Sequence, residues 1–118
     1  MVYLTQNEKE SLFVVVAAWL AKERLAKGMR LSFPEAIALI TFEVMEMART
    51  GRYSVSDLQM YGRDILSEED VMEGVPALIS KVNVQATFPD GTKLVVIYPS
   101  FHSSQFPKSA EEIGQQYP

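Results

Sequence analysis

Apolar positions and polar punctuation divide the chain into short segments, most with its own start and stop signal. The first opens at Thr5-Gln6-Asn7-Glu8. Threonine with glutamate three residues later forms a reciprocal capping box. An apolar run from Leu12 to Ala21 follows, then Lys22-Glu23-Arg24-Leu25-Ala26-Lys27 and Gly28. Basic residues in a last turn complement the helix dipole, and glycine accepts the left-handed cap. These signals predict a helix from about Thr5 to Lys27. The Val14-Val15-Val16 triplet leans toward strand, but capping and length outweigh it. Leu12 to Ala21 is apolar on every face, and a helix apolar all round must be buried all round. Two readings satisfy this: a central core helix, or a helix with one flank near Trp19 covered by another subunit.

The second segment repeats the logic. Ser32-Phe33-Pro34-Glu35 is another capping box, with proline in the first turn, where a missing N–H costs nothing. Ile37, Ile40, Val44 and Met47 recur at helical spacing, and Gly51 closes the segment. Glu43 and Glu46 fall off that stripe and are expected on a solvated face. A short third helix starts at Ser54-Val55-Ser56-Asp57 and stops at Gly62, with Val55, Leu58 and Met60 expected inward. A fourth starts at Ser67-Glu68-Glu69-Asp70, its first turn crowded with acids. Gly74-Val75-Pro76 interrupts it, and it resumes to about Ser80.

The period then changes to two. Val82, Val84, Ala86 and Phe88 alternate with Asn83, Gln85 and Thr87. Pro89-Asp90-Gly91-Thr92 is a turn signal, and Leu94 to Tyr98 reads as a second strand. A lone hairpin is marginal in water, so it must pack on the helices or join a partner's sheet. The pattern fails from Pro99, and residues 100–118 read as an irregular tail, ordered against a partner if at all. The expected fold is α+β: a mostly helical bundle of about four helices with a C-terminal β-hairpin, one domain over residues 1–99.

Composition narrows the function. The 118 residues are 47% hydrophobic and 22% charged, which is globular rather than disordered. A net charge of −4 repels phosphate backbones and argues against nucleic-acid binding. The longest apolar run is too short for a membrane span. The chain has no cysteine, so disulfides and thiolate metal sites are excluded. The N-terminus shows no basic region or cleavage site of a signal peptide, and the expected location is the cytoplasm.

The search for chemistry returns little. His102 is the single histidine, and zinc and nickel sites draw on several His, Cys or carboxylate ligands. A nucleophilic triad would have to recruit the same residue from the tail. Glu68, Glu69, Asp70 and Glu73 form an acidic group, but their plain role is to satisfy a helix start. No phosphate loop, nucleophile elbow or EF-hand spacing is present. No catalytic, cofactor-binding or metal-binding residue is therefore expected in this chain.

Several stretches, read in order, resemble one family, the gamma-type small subunit of nickel-dependent urease. They are Leu4-Thr5, Glu8-Lys9, and Leu20-Ala21 with Arg24. The run Gly28-Met29-Arg30-Leu31-Ser32-Phe33-Pro34-Glu35-Ala36-Ile37-Ala38-Leu39-Ile40 is similar to the family's G-x-x-L-N-Y-P-E-A-x-A-L-I, and Ala48-Arg49-Thr50-Gly51-Arg52 to A-R-D-G-R. Asp70-Val71-Met72-Glu73-Gly74-Val75-Pro76 and Ala86-Thr87-Phe88-Pro89-Asp90-Gly91-Thr92-Lys93-Leu94-Val95 resemble it most closely. The resemblance spans about Leu4 to Tyr98. It implies a helical bundle with a C-terminal hairpin, and urea hydrolysis to ammonia and carbamate by the assembled enzyme. It places two nickel ions in a large alpha-type subunit, which leaves this chain none of the ligands. It also implies alpha-type and beta-type partners and self-association around a three-fold axis.

The chain departs from the family pattern in places. Tyr98 stands where a histidine is usual, Gln85 replaces a common glutamate, and Ser32-Phe33 replaces Asn-Tyr. Residues 99–118 have no counterpart. Two classes of function follow: a structural subunit of a urease, or a diverged homo-oligomeric interaction module with no role in an active urease. An independent small hydrolase built on His102 is the least supported.

Overall fold

A computed structural model describes residues 4–106. Four α-helices precede one hairpin: α1 Gln6–Ala26, α2 Phe33–Arg49, α3 Val55–Arg63, α4 Val75–Leu78, β1 Val82–Phe88 and β2 Gly91–Ile97. The α+β architecture expected from the pattern is the one observed.

The capping boxes set the helix starts. The Thr5 hydroxyl accepts the Glu8 N–H at 3.1 Å while Glu8 accepts the Thr5 N–H at 2.9 Å. Ser54 and Asp57 make the same exchange at 3.1 and 2.9 Å, and the Ser32 N–H donates to Glu35 at 2.9 Å. Gly28 stops α1 with φ 82°.

The central helix is α2, with Ala36, Ala38, Leu39, Ile40, Val44 and Ala48 buried. It packs against α1, α3 and β1. This removes the reading of α1 as a central core helix. Only Ala18, Ala21 and Leu25 of α1 are buried, and every residue from Leu4 to Phe13 is exposed. A further departure lies in α3, where Leu58 is buried but Met60 points to solvent.

The helix expected at Ser67 is one 3-10 turn, Glu68–Asp70, followed by extended chain. A long-range pairing explains the change. The Leu31 N–H donates to the Asp70 carbonyl and the Met72 N–H to the Leu31 carbonyl, both at 2.8 Å. Leu31 and Val71 are fully buried there. That pairing satisfies backbone groups an α-helix would have claimed. Gly74, at φ 87°, then turns the chain into α4, with Pro76 in its first turn.

In the hairpin, Val82 pairs with Ile97, Val84 with Val95 and Phe88 with Gly91. Val82, Val84, Ala86 and Phe88 of β1 are buried, together with Val95 and Ile97 of β2. This face rests on α2 and α3, so the hairpin leans on its own helices. Residues 100–106 form no helix or strand, yet they are tied to the domain. The Ser100 N–H donates to the Arg63 carbonyl, Glu68 N–H to the Phe101 carbonyl, and Gln105 N–H to the Ile65 carbonyl, at 3.0, 2.9 and 2.9 Å. Phe101 is buried in the core. The rest of the expected tail, residues 107–118, lies outside the described residues.

Candidate functional site

The residues singled out for chemistry do not converge. His102 is exposed, and its backbone N–H donates to the Ser100 hydroxyl at 3.3 Å. Asp70 is buried and serves its own turn: Oδ2 accepts the Ser67 N–H at 2.8 Å and the Ser67 hydroxyl at 3.1 Å. Glu68, Glu69 and Glu73 line an open cleft of about 350 Å³ with Arg30, and Arg30 donates to the Glu68 carbonyl at 3.1 Å. Among the described residues, no group of three or more His, Cys, Asp or Glu side chains is arranged to hold a metal ion.

The charged groups that do converge are joints between helices. Glu43, expected on a solvated face, is largely buried and ion-paired with Lys22 of α1. It also accepts the Tyr61 hydroxyl of α3 at 3.2 Å. Burial, with the Glu43 charge and hydrogen bond, pushes the Tyr61 phenol up to about 12. Lys22 lies 4.9 Å from the Phe42 ring centre, a cation–π distance. Glu46 is exposed as expected. A second joint ties α1 to the start of α2, where Arg24 pairs with Glu35. Burial raises the Glu35 carboxyl, but hydrogen bonds from Ser32 and the Arg24 charge outweigh it and hold the group below its usual value.

What the surface offers instead is exposed apolar side chains. Leu12, Phe13, Val16, Trp19 and Leu20 are exposed along α1. Met60, Val96 and Tyr98 line a shallow groove of about 430 Å³ with Ser56, Gln59 and Arg63, where Gln59 donates to the Val96 carbonyl at 3.2 Å. Leu78 stands exposed on α4. Apolar surface grouped in this way marks contact sites. The Trp19 flank was legible in the sequence. Met60 was not, because a nine-residue helix gives too few turns to fix its inward face.

The sequence model of the urease gamma subunit matches residues 2–100. The chain belongs to the urease gamma subunit family. The structure also shows what the family-like stretches do physically. Gly28 to Ile40 makes the α1–α2 corner, with Leu31 buried and Glu35 clamped by Arg24. Asp70 to Pro76 carries the extended link to α4. The Gly51 and Pro89 stretches meet: Gly51 has φ +75°, and a Cβ there would lie 2.9 Å from Pro89 Cγ. In this member of the urease gamma family, those stretches build the domain itself.

Proposed function

We propose that this chain is a non-catalytic structural subunit of a nickel-dependent urease, contributing to assembly of an enzyme that hydrolyses urea to ammonia and carbamate. The observation that carries the reading is the family match over residues 2–100. The donor set supports the division of labour. Nickel sites draw on several imidazole or carboxylate ligands, whereas the one histidine here is exposed and no cluster of donors exists among the described residues. These residues do not fit a nickel site, so no step of urea hydrolysis is assigned to them. The metal belongs in this reading to the large alpha-type partner, with a beta-type subunit completing the unit and self-association around a three-fold axis. The exposed apolar surfaces of α4 and the Tyr98 groove support an assembly role with those partners. The assembly is proposed to be cytoplasmic. No described helix is long and apolar enough to cross a membrane.

Co-expression with an alpha-type and a beta-type subunit, followed by size-exclusion chromatography and metal analysis, tests the reading. The expected result is co-elution, with nickel and urease activity in the complex and neither in the isolated chain. A chain that always elutes alone overturns it. The second reading is a diverged homo-oligomeric module outside any active urease. Tyr98, and the packing of Phe101 just beyond the family match, favour it. Deleting the gene in its host without changing urease activity would support that reading over the first.

A further inference from the structure

The outward face of α1 carries a pattern with its own symmetry. Phe13 is 73% exposed, Trp19 61%, Val16 58%, Leu12 51% and Leu20 42%. At 100° per residue these five side chains fall on one stripe. Lys9 continues it one turn toward the N-terminus and Glu23 one turn toward the C-terminus. The layers along the stripe are Lys9, then Leu12 with Phe13, then Val16, then Trp19 with Leu20, then Glu23. Reversed about Val16, the order reproduces itself in apolar character and exchanges the sign of the charge at each end.

A two-fold contact needs such a surface, because each patch must be complementary to itself. We infer that a second copy of this chain docks on this face, with the two α1 helices antiparallel and the two-fold axis at Val16. Each Leu12–Phe13 layer then meets the partner copy's Trp19–Leu20 layer, and each Lys9 meets the partner copy's Glu23. The charges are available for this exchange. Lys9 makes no ion pair among the described residues, and Glu23 holds only an exposed pair with Lys27.

The area fits as well. The five exposed fractions amount to roughly 500 Å² of apolar surface per copy. A stable interface buries about 800 Å² per partner, of which roughly two-thirds is apolar in homodimers. One stripe therefore supplies the apolar part of one such interface. The contact concerns α1 alone and holds whether or not the chain joins a urease. Three-fold packing would have to use other faces.

The chain lacks cysteine, so Val16→Cys introduces a single thiol at the proposed axis. The full-length variant should cross-link to itself rapidly under mild oxidation, whereas Glu10→Cys, on another face of the same helix, should not. Analytical ultracentrifugation of the unmodified chain should show a monomer–dimer equilibrium. Lys9→Glu or Glu23→Lys should each weaken the dimer at least about 5-fold, since two attractive pairs per dimer become like-charge contacts, and the double exchange should restore it. Far-UV circular dichroism confirms that the variants, all at exposed positions, remain folded. A chain that stays monomeric at high loading, equal cross-linking of both cysteine variants, or a double exchange no tighter than either single one overturns the inference. A monomer that loses urease co-elution on Phe13→Ser with Trp19→Ser would show that this face is covered by a different subunit, and would also overturn it. Failure of urease co-elution by the unmodified chain would leave the cross-linking result standing, so the two readings fail separately.

Discussion

Gly62 lies in α3 where the helix crosses β2, and the contact leaves no room for a side chain. A Cβ placed there would sit 2.5 Å from Ile97 Cδ1, 2.9 Å from Cγ2 and 3.0 Å from Cγ1. Ile97 is fully buried, so it cannot swing into solvent. Overpacking of this kind costs about 1–3 kcal/mol, while alanine gains about 1 kcal/mol over glycine in a helix. Gly62→Ala should therefore lose about 1 kcal/mol net. Ile97→Val alone should lose about 1 kcal/mol as a buried methyl deletion. That deletion removes Cδ1, the atom the new Cβ meets first, so the two changes should not add. The double variant is expected within about 0.5 kcal/mol of Ile97→Val alone, a coupling of about 1 kcal/mol. Urea unfolding followed by circular dichroism, at constant m-value, measures all four corners of the cycle. Simple additivity would refute the claim that α3 is seated on β2 by this contact. The seat matters because α3 also presents Met60 and Arg63 to the groove beside Tyr98.

Three further variants test the same structure. Phe101→Ala should lose about 3 kcal/mol, seen as a fall in Tm of roughly 12 °C, because a buried ring is removed from the core; an unchanged Tm would show that residues 100–106 do not hold the domain. Tyr61→Phe should lose about 1 kcal/mol at neutral pH through its hydrogen bond to Glu43. The folded phenol is raised to about 12 from 10.0, so its contribution is complete below pH 10 and is lost as pH rises through the folded value; the variant's deficit should shrink across that window in alkaline unfolding curves. Glu35→Ala should lose about 1–2 kcal/mol by removing a cap and the Arg24 pair together. Since the folded Glu35 carboxyl is lowered from 4.5, its contribution is present above that value and is lost as pH falls through the lower folded value, so wild type and variant should converge in acid melts.

The local chemistry of the chain was legible where it is satisfied locally. Thr5 and Glu8 make their predicted two-way exchange, the Ser32 N–H reaches Glu35 three residues on, and Ser54, read as a helix start, caps α3 with Asp57. The strict alternation of Val82 to Phe88 became a strict alternation of burial. What failed depended on distant partners. Ser67 opens like a helix, but Leu31 captures the Asp70 carbonyl from across the chain. Glu43 sits off the apolar stripe of α2, and only the arrival of Lys22 and Tyr61 from neighbouring helices makes its burial tolerable. Phe101 stands among serines in a stretch without period, so its place in the core had no pattern to announce it. The candidate contact surface was half legible: an all-apolar α1 demanded cover, but periodicity could not say which side the domain itself would cover.

The division of α1 between its two sides supplies that answer in physical terms. Its buried positions include Ala18 and Ala21, small side chains that let α2 approach closely, while Phe13 and Trp19, with far larger apolar surface, face outward. A helix serving only its own domain gains most by the opposite arrangement, because burial of a large side chain contributes more than burial of alanine. The domain holds α1 without those rings, through Leu25, the Lys22–Glu43 and Arg24–Glu35 joints and the Thr5 cap. Aromatic side chains that leave most of their surface outside the fold they belong to, and would promote non-specific association if left in water, are accounted for by a surface that meets them. The Lys9 and Glu23 charges at the two ends of the stripe, of opposite sign and equidistant from Val16, are what a second copy of α1 running the other way would meet.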